Sequence, residues 1–154
     1  MSYTIRALTV KELPQCKVFG QQFMAEKALP GTFNLKHFTA TWTTFLASGQ
    51  GVIYGLWNSE TLVGGLGGFL FPDLNTGEQT VIEAFWFVRN EDRGTTWPVR
   101  LVHAFRKWGK KRGAQRFRMV HLLMDGEDPS TVKFAGFYQK LGLRPIEVSY
   151  DGEI

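Results

Sequence analysis

Three apolar runs of strand length follow one another between residues 51 and 88, and the short turns between them restrict this part of the chain to an antiparallel meander. The first run spans residues 51–57 and the second 61–71, joined by Asn58-Ser59-Glu60 as a hairpin; Pro72-Asp73-Leu74-Asn75-Thr76-Gly77 turns the chain again into a third run over 79–88. The middle run is interrupted by Gly64, Gly65, Gly67 and Gly68. Glycines inside a strand mark a bend or bulge, the reading we favour, or room for a ligand beside the sheet.

Around the meander the patterning changes to helix and single strands. Residues 3–8 alternate with period two as a first strand. Thr9 and Glu12 have capping-box spacing, and Pro14, which lacks a backbone N–H, moves the expected start of the continuous helix to itself. Cys16, Phe19 and Phe23 form that helix's buried face. After a break at 28–33, Asn34 is placed to cap a second helix whose stripe is Leu35, Phe38, Trp42, Phe45 and Leu46, ending at Ser48-Gly49. Beyond the meander a helix over 98–112 turns Leu101, Val102, Phe105 and Trp108 inward. Arg100, His103, Arg106, Lys107, Lys110 and Lys111 face outward, and Gly113 closes the helix. A strand over 117–124, the turn Asp125-Gly126, a helix capped by Ser130 or Thr131 and ending at Gly142, and a short strand over 145–150 complete the chain. The class is α/β (α+β): one domain over 1–154 with a mixed central sheet and an antiparallel meander flanked by helices.

At 154 residues, 44% hydrophobic and 21% charged, the chain is long enough for one substantial core and unlike a disordered or fibrous sequence. Its net charge of +4 favours anionic ligands. The cations concentrate between Arg89 and Arg118 without a nucleic-acid-binding motif, so a local anion site is preferred to a nucleic-acid surface. The lone Cys16 cannot form an internal disulfide, and neither a signal peptide nor a membrane-length apolar run is present; cytoplasmic residence is expected. The histidines and the cysteine lack metal-ligand spacing, and no serine-hydrolase elbow occurs. His37 reads as an exposed helix residue, Cys16 and His121 as core.

The functional signal lies in residues 83–113, an apolar strand beginning at Glu83, a charged turn with Arg93-Gly94, and a basic helix. The N-terminus of a helix presents unpaired amides and partial positive charge, so a pyrophosphate can dock there on the amides of Gly94, Thr95, Thr96 and Trp97.

The order of elements, the run Phe87-Val88-Arg89-Asn90-Glu91-Asp92-Arg93-Gly94 before a helix ending in Lys-Lys-Arg-Gly, and Phe137-Tyr138-Gln139-Lys140-Leu141-Gly142-Leu143 together resemble the GNAT superfamily of N-acetyltransferases over nearly the whole chain. The resemblance implies acetyl-CoA as co-substrate, with pantetheine along the strand to Val88 and pyrophosphate on the turn; Phe87, Val88, Arg93, Gly94, Thr95, Thr96 and Trp97 are the expected contacts. It also implies Glu83 as general base, Tyr138 as the acid that protonates the departing thiolate, and the amide of Phe87 or Val88 as oxyanion donor. For Glu83 an ion-paired strand-end carboxylate is an equal reading, and for Tyr138 an interface tyrosine is the alternative. The acceptor would be an amine on a small molecule or protein, bound by the 28–34 connection and the C-terminal strands. One strand stands there where the family has two, so either the acceptor site is open or a second copy completes the sheet edge as a homodimer. The loop departs from the family at Thr96 and Pro98, where small residues are usual, and is similar to irregular loops of members encoded by bacteriophages. Because Pro98 has no N–H to give, a non-catalytic GNAT-like binding or assembly module is the rival reading.

Overall fold

The computed structural model describes residues 2–27, 29–123, 127–128 and 135–154. Two compact units divide the chain, Met1–Val120 and His121–Ile154. The first contains a five-stranded sheet in the order β1 (Tyr3–Ala7), β2 (Gly51–Asn58), β3 (Thr61–Pro72), β4 (Gln79–Val88), β5 (Arg116–Arg118). The first four strands are antiparallel neighbours, and β5 runs parallel to β4. The mixed sheet and its central meander are as expected, and Asn58 pairs with Thr61, which tightens the first hairpin to Ser59-Glu60.

Three helices accompany this sheet: α1 (Lys17–Glu26), α2 (Leu35–Ser48) and α3 (Trp97–Lys111). The Glu12 carboxylate accepts from the Thr9 amide at 2.8 Å, as the capping spacing predicts. The chain then winds as a 3-10 helix, Val10–Cys16, with Pro14 inside it, and regular α-helix begins only at Lys17, three residues later than expected. Pro14 cannot donate to an i−4 carbonyl, so the tighter winding continues past it. Asn34 accepts the His37 amide at 3.0 Å and Gly49 closes α2 with φ 72°, both as read from the sequence. Gly113, at φ 83°, closes α3.

Adjacent glycines show how the two layers are built. A Cβ on Gly67 would meet Phe85 and Trp42, whereas one on Gly68 would meet Phe105 of α3. Neighbouring strand residues face opposite ways, so α2 and α3 cover opposite sides of the sheet. Phe19 and Phe23 of α1 and Phe38, Trp42 and Phe45 of α2 form a run of aromatic contacts with Phe69, Phe85 and Phe87. On the other side Gly109 lets α3 settle onto Val81. The space beside the β3 glycines at 67 and 68 is therefore filled by aromatic rings, and a register shift falls between them, in keeping with the bend or bulge read from the sequence.

Between β3 and β4 the register passes from Gly67↔Phe85 to Gly68↔Glu83, leaving Ala84 as the extra residue of a bulge. Period two does not run unbroken from Glu83 to Phe87. Two further expectations are corrected. β5 stops at Arg118, since its next residues leave the ladder, and residues 145–150 form no strand. In that segment Pro145 lacks a donor, and Ile146, Val148 and Tyr150 are exposed, so the apolar alternation buries nothing. The sheet edge expected there for a second copy is consequently not formed by this segment. The second unit contains α4 (Ala135–Lys140), closed by Gly142 at φ 77° with Leu143 N–H on the Tyr138 carbonyl at 3.0 Å. Ala28, the strand end at Met124, the turn at Asp125-Gly126 and the Ser130 or Thr131 cap lie outside the described residues.

Gly68→Ala must displace Phe105 or the β4 backbone, and is expected to lower stability by about 1–3 kcal/mol. Gly152→Ala, with open space around it, should change little; denaturant midpoints of the two variants check the difference.

Candidate active site

Glu83, on β4, is the one buried carboxylate of the sheet among the described residues, 4% exposed. Its Oε2 accepts the Val120 N–H at 2.8 Å. The last pair of the parallel ladder is Ile82↔Arg118, so the amide two residues beyond β5 bonds to a side chain of β4 instead of to its backbone. Past that point β4 has no paired neighbour on its β5 side among the described residues. Burial pushes the Glu83 carboxyl up to about 7, against the opposing pull of the Val120 amide and the Lys27 charge.

Main-chain direction along the open part of β4 follows from the ladder. The Arg89 amide donates to the Val63 carbonyl of β3 at 2.9 Å, and antiparallel strands alternate their polar groups between edges. The Phe87 amide therefore faces β3, and the N–H and C=O of Val88 face the open edge. Phe87 and Val88 are each 4% exposed, so both side chains belong to the core.

Arg93 turns back from the loop onto β4 and α1. Its Nε donates to the Val88 carbonyl at 2.6 Å, its terminal nitrogen reaches both Glu26 oxygens at 2.8 Å, and its guanidinium lies 5.1 Å from the centre of the Phe87 ring. At 37% and 39% side-chain exposure the ion pair contributes at most about 1 kcal/mol. Beside it, Gln22, Ala25, Glu26, Phe87, Asn90 and Glu91 line an open cleft of about 440 Å³.

Gly94 is exposed with open space around it. The Thr95 hydroxyl donates to the Asp92 carbonyl at 3.2 Å and accepts the Trp97 amide at 3.3 Å. The Thr96 carbonyl takes the Arg100 amide as the first helical bond. Trp97 thus has its amide occupied and Pro98 has none, which removes two of the first three helical donors. Sequence reading missed four residues that shape this end of the sheet: Tyr3, Asn58, Asp92 and Arg100. Arg100 is exposed, and its guanidinium sits 4.4 Å above the Trp97 ring. Only the absence of any acid between Gly94 and Val120 hinted at a cation with a ligand to meet. Tyr138 stands on α4 in the second unit. His121 in that unit pairs with Glu127 at 2.5 Å, and Cys16 is fully buried with its thiol pushed up to about 12 by burial. Among the described residues no three His, Cys, Asp or Glu side chains gather as metal ligands, and no helix is long and apolar enough to cross a membrane.

No family model and no curated protein matches the sequence. Solved structures do. A predicted acetyltransferase of Clostridium acetobutylicum, with acetyl-CoA, is similar at TM-score 0.78 and 12% identity over 99% of this chain and 96% of its own. A transcriptional regulator from Bacillus halodurans aligns at TM-score 0.77 and 17% identity over 99% and 100%. Glucosamine-6-phosphate N-acetyltransferase from Arabidopsis thaliana gives TM-score 0.74 and 14% identity over 99% of each. Likeness at this identity establishes the fold, while activity has to be argued from residues.

A carboxyl raised in the native state keeps its proton there, so its contribution to stability is fullest below the ordinary value of 4.5 and is lost as pH rises through about 7. From about pH 4 to about pH 8 the protein is expected to lose on the order of 3 kcal/mol more than a Glu83→Gln variant, whose amide oxygen still accepts from Val120. Urea titrations across that range measure it.

Proposed function

We infer that this chain, which has the fold of the GNAT N-acetyltransferases, moves an acetyl group from acetyl-CoA to an amine. The observation that carries this reading is a buried carboxyl with a pKa near 7 beside the open edge of β4. Edge and acid are what the reaction needs in one place. A pantetheine N–H can pair with the outward C=O of Val88 and leave the Val88 N–H as the oxyanion donor; the direction of that edge favours Val88 over Phe87. Arg93, which now holds the Val88 carbonyl, must yield that acceptor or share it. At the turn, the amides of Gly94, Thr95 and Thr96 and the Arg100 guanidinium take the diphosphate, so Arg100 makes good part of what Trp97 and Pro98 withhold. The similar structures of an acetyltransferase with acetyl-CoA and of a glucosamine-6-phosphate N-acetyltransferase support acetyl transfer as the class of reaction.

In the chemical step the amine nitrogen attacks the thioester carbon and its proton passes to Glu83, through water because the carboxyl is buried. The tetrahedral oxyanion collapses, the C–S bond breaks, and the thiolate takes the proton of Tyr138. That role for Tyr138 rests on the similarity of its helix to the family's. The acceptor is a primary amine on a small molecule or protein. Coverage of 99% of the chain by the matched structures supports treating both units as one domain.

A non-catalytic binding module is the second reading, favoured by the loss of helix-terminal donors and by the Glu26 partner of Arg93. Turnover of acetyl-CoA with a panel of amines separates the two. The acetyltransferase reading expects a rate that rises with pH to a plateau above about 7, a fall of roughly 10²–10⁴ in Glu83→Gln, and a clear loss in Tyr138→Phe. Undiminished turnover in Glu83→Gln removes Glu83 as base. Arg100→Ala is expected to raise the KM for acetyl-CoA several-fold and to leave the KM for the amine unchanged.

A further inference from the structure

The turn between β4 and α3 contains a single glycine, Gly94, and its shape is set from elsewhere. Asp92, at the end of a one-turn 3-10 helix (Asn90–Asp92), is 3% exposed. Its Oδ1 accepts the Tyr3 hydroxyl of β1 at 2.7 Å and lies 3.5 Å from the Asn58 amide nitrogen of β2. Its Oδ2 accepts Arg89 through Nε at 3.0 Å and is 2.9 Å from the terminal nitrogen. Burial opposes ionisation here, yet the Tyr3, Arg89 and Asn58 contacts hold the carboxyl below its ordinary range. The Asp92 carbonyl in turn accepts the Thr95 hydroxyl, which caps the Trp97 amide.

Tyr3 acts twice on the same turn. Its hydroxyl binds Asp92, and its ring packs against Trp97 at 5.8 Å between centroids. Trp97 opens α3 and carries Arg100 on its other contact. Both ends of the stretch 92–97 are therefore fastened to one side chain of β1, 89 residues away in sequence from Asp92.

We propose that Tyr3 is a positioning residue for the co-substrate, clamping Asp92 and Trp97 so that the amides of residues 94–96 and the Arg100 guanidinium are held in one arrangement before a diphosphate arrives. Glycine-rich anion loops fit their ligand by close approach of bare backbone; this turn, poor in glycine, is preorganised by a buried carboxylate and an aromatic contact. The role lies at the turn, away from the reacting carbonyl. It rests on the acetyl-CoA reading above for its ligand, though not for its geometry.

Tyr3→Phe deletes the hydroxyl and keeps the ring on Trp97. Amide hydrogen exchange of the ligand-free protein reads the clamp directly at the bonded amides of the turn, those of Asp92, Arg93 and Trp97: the variant is expected to exchange them at least about tenfold faster, with the β2 and β3 amides unchanged. Steady-state kinetics read its use, with an expected KM for acetyl-CoA about tenfold higher and kcat and the amine KM unaltered. Unchanged exchange at Asp92, Arg93 and Trp97 overturns the proposal, as does faster exchange throughout the sheet, which would make Tyr3 a general stabiliser. A locally loosened variant with the wild-type KM for acetyl-CoA also overturns it. If the wild-type protein turns over no acetyl-CoA, the reading of function fails instead, and the exchange result still decides whether the clamp exists.

Discussion

The hydrogen bond from the Val120 amide to Glu83 is the contact on which the site depends. A parallel ladder that continued past Ile82↔Arg118 would pair the β4 edge with β5, and nothing of the backbone would remain for a ligand. Because a side chain takes the Val120 N–H, the strand ends without leaving that donor orphaned. The same contact explains why a carboxyl can sit 4% exposed in a sheet: it is partnered, though too weakly to offset the loss of water, and its pKa rises. Strand termination and acid–base character thus have one cause.

Aromatic packing holds β4 in place around this opening. The bulge at Ala84 interrupts the alternation between Glu83 and Phe85, and the rings of Phe85 and Phe87 lock into those of α1 and α2. Gly67 and Gly68 admit Phe85 and Phe105 from opposite sides, which keeps β3 thin where both helical layers press closest. With the strand fixed, the turn after Val88 begins at a defined point, and Arg89 and Arg93 reach backward from it to Asp92, Val88 and Glu26.

The features legible in the sequence were local. The bounds of β4, the Asn34 cap, and the closures at Gly49, Gly113 and Gly142 all depend on residues a few positions apart. Glu83 was visible as an acid opening an apolar run, but its role in ending β5 was not, because Val120 lies 37 residues on. For the same reason the Glu26 partner of Arg93, 67 residues away, was not legible in the sequence. Tyr3 carried no signal beyond its place in a period-two strand. The final strand over 145–150 failed for a different reason, since alternation predicts a strand only where a neighbour exists to pair with and bury one face.

The departures at Thr96 and Pro98 leave one question at the centre: whether a turn with two helix-terminal donors withdrawn, but with Arg100 beside it, holds a diphosphate. Calorimetric titration of the protein with acetyl-CoA, with free coenzyme A in parallel, addresses it most directly. One site per chain is expected for both ligands, with affinity falling as salt rises because phosphate contacts contribute. Absence of heat and of competition up to about millimolar ligand, a binding free energy no better than roughly −4 kcal/mol, would contradict it.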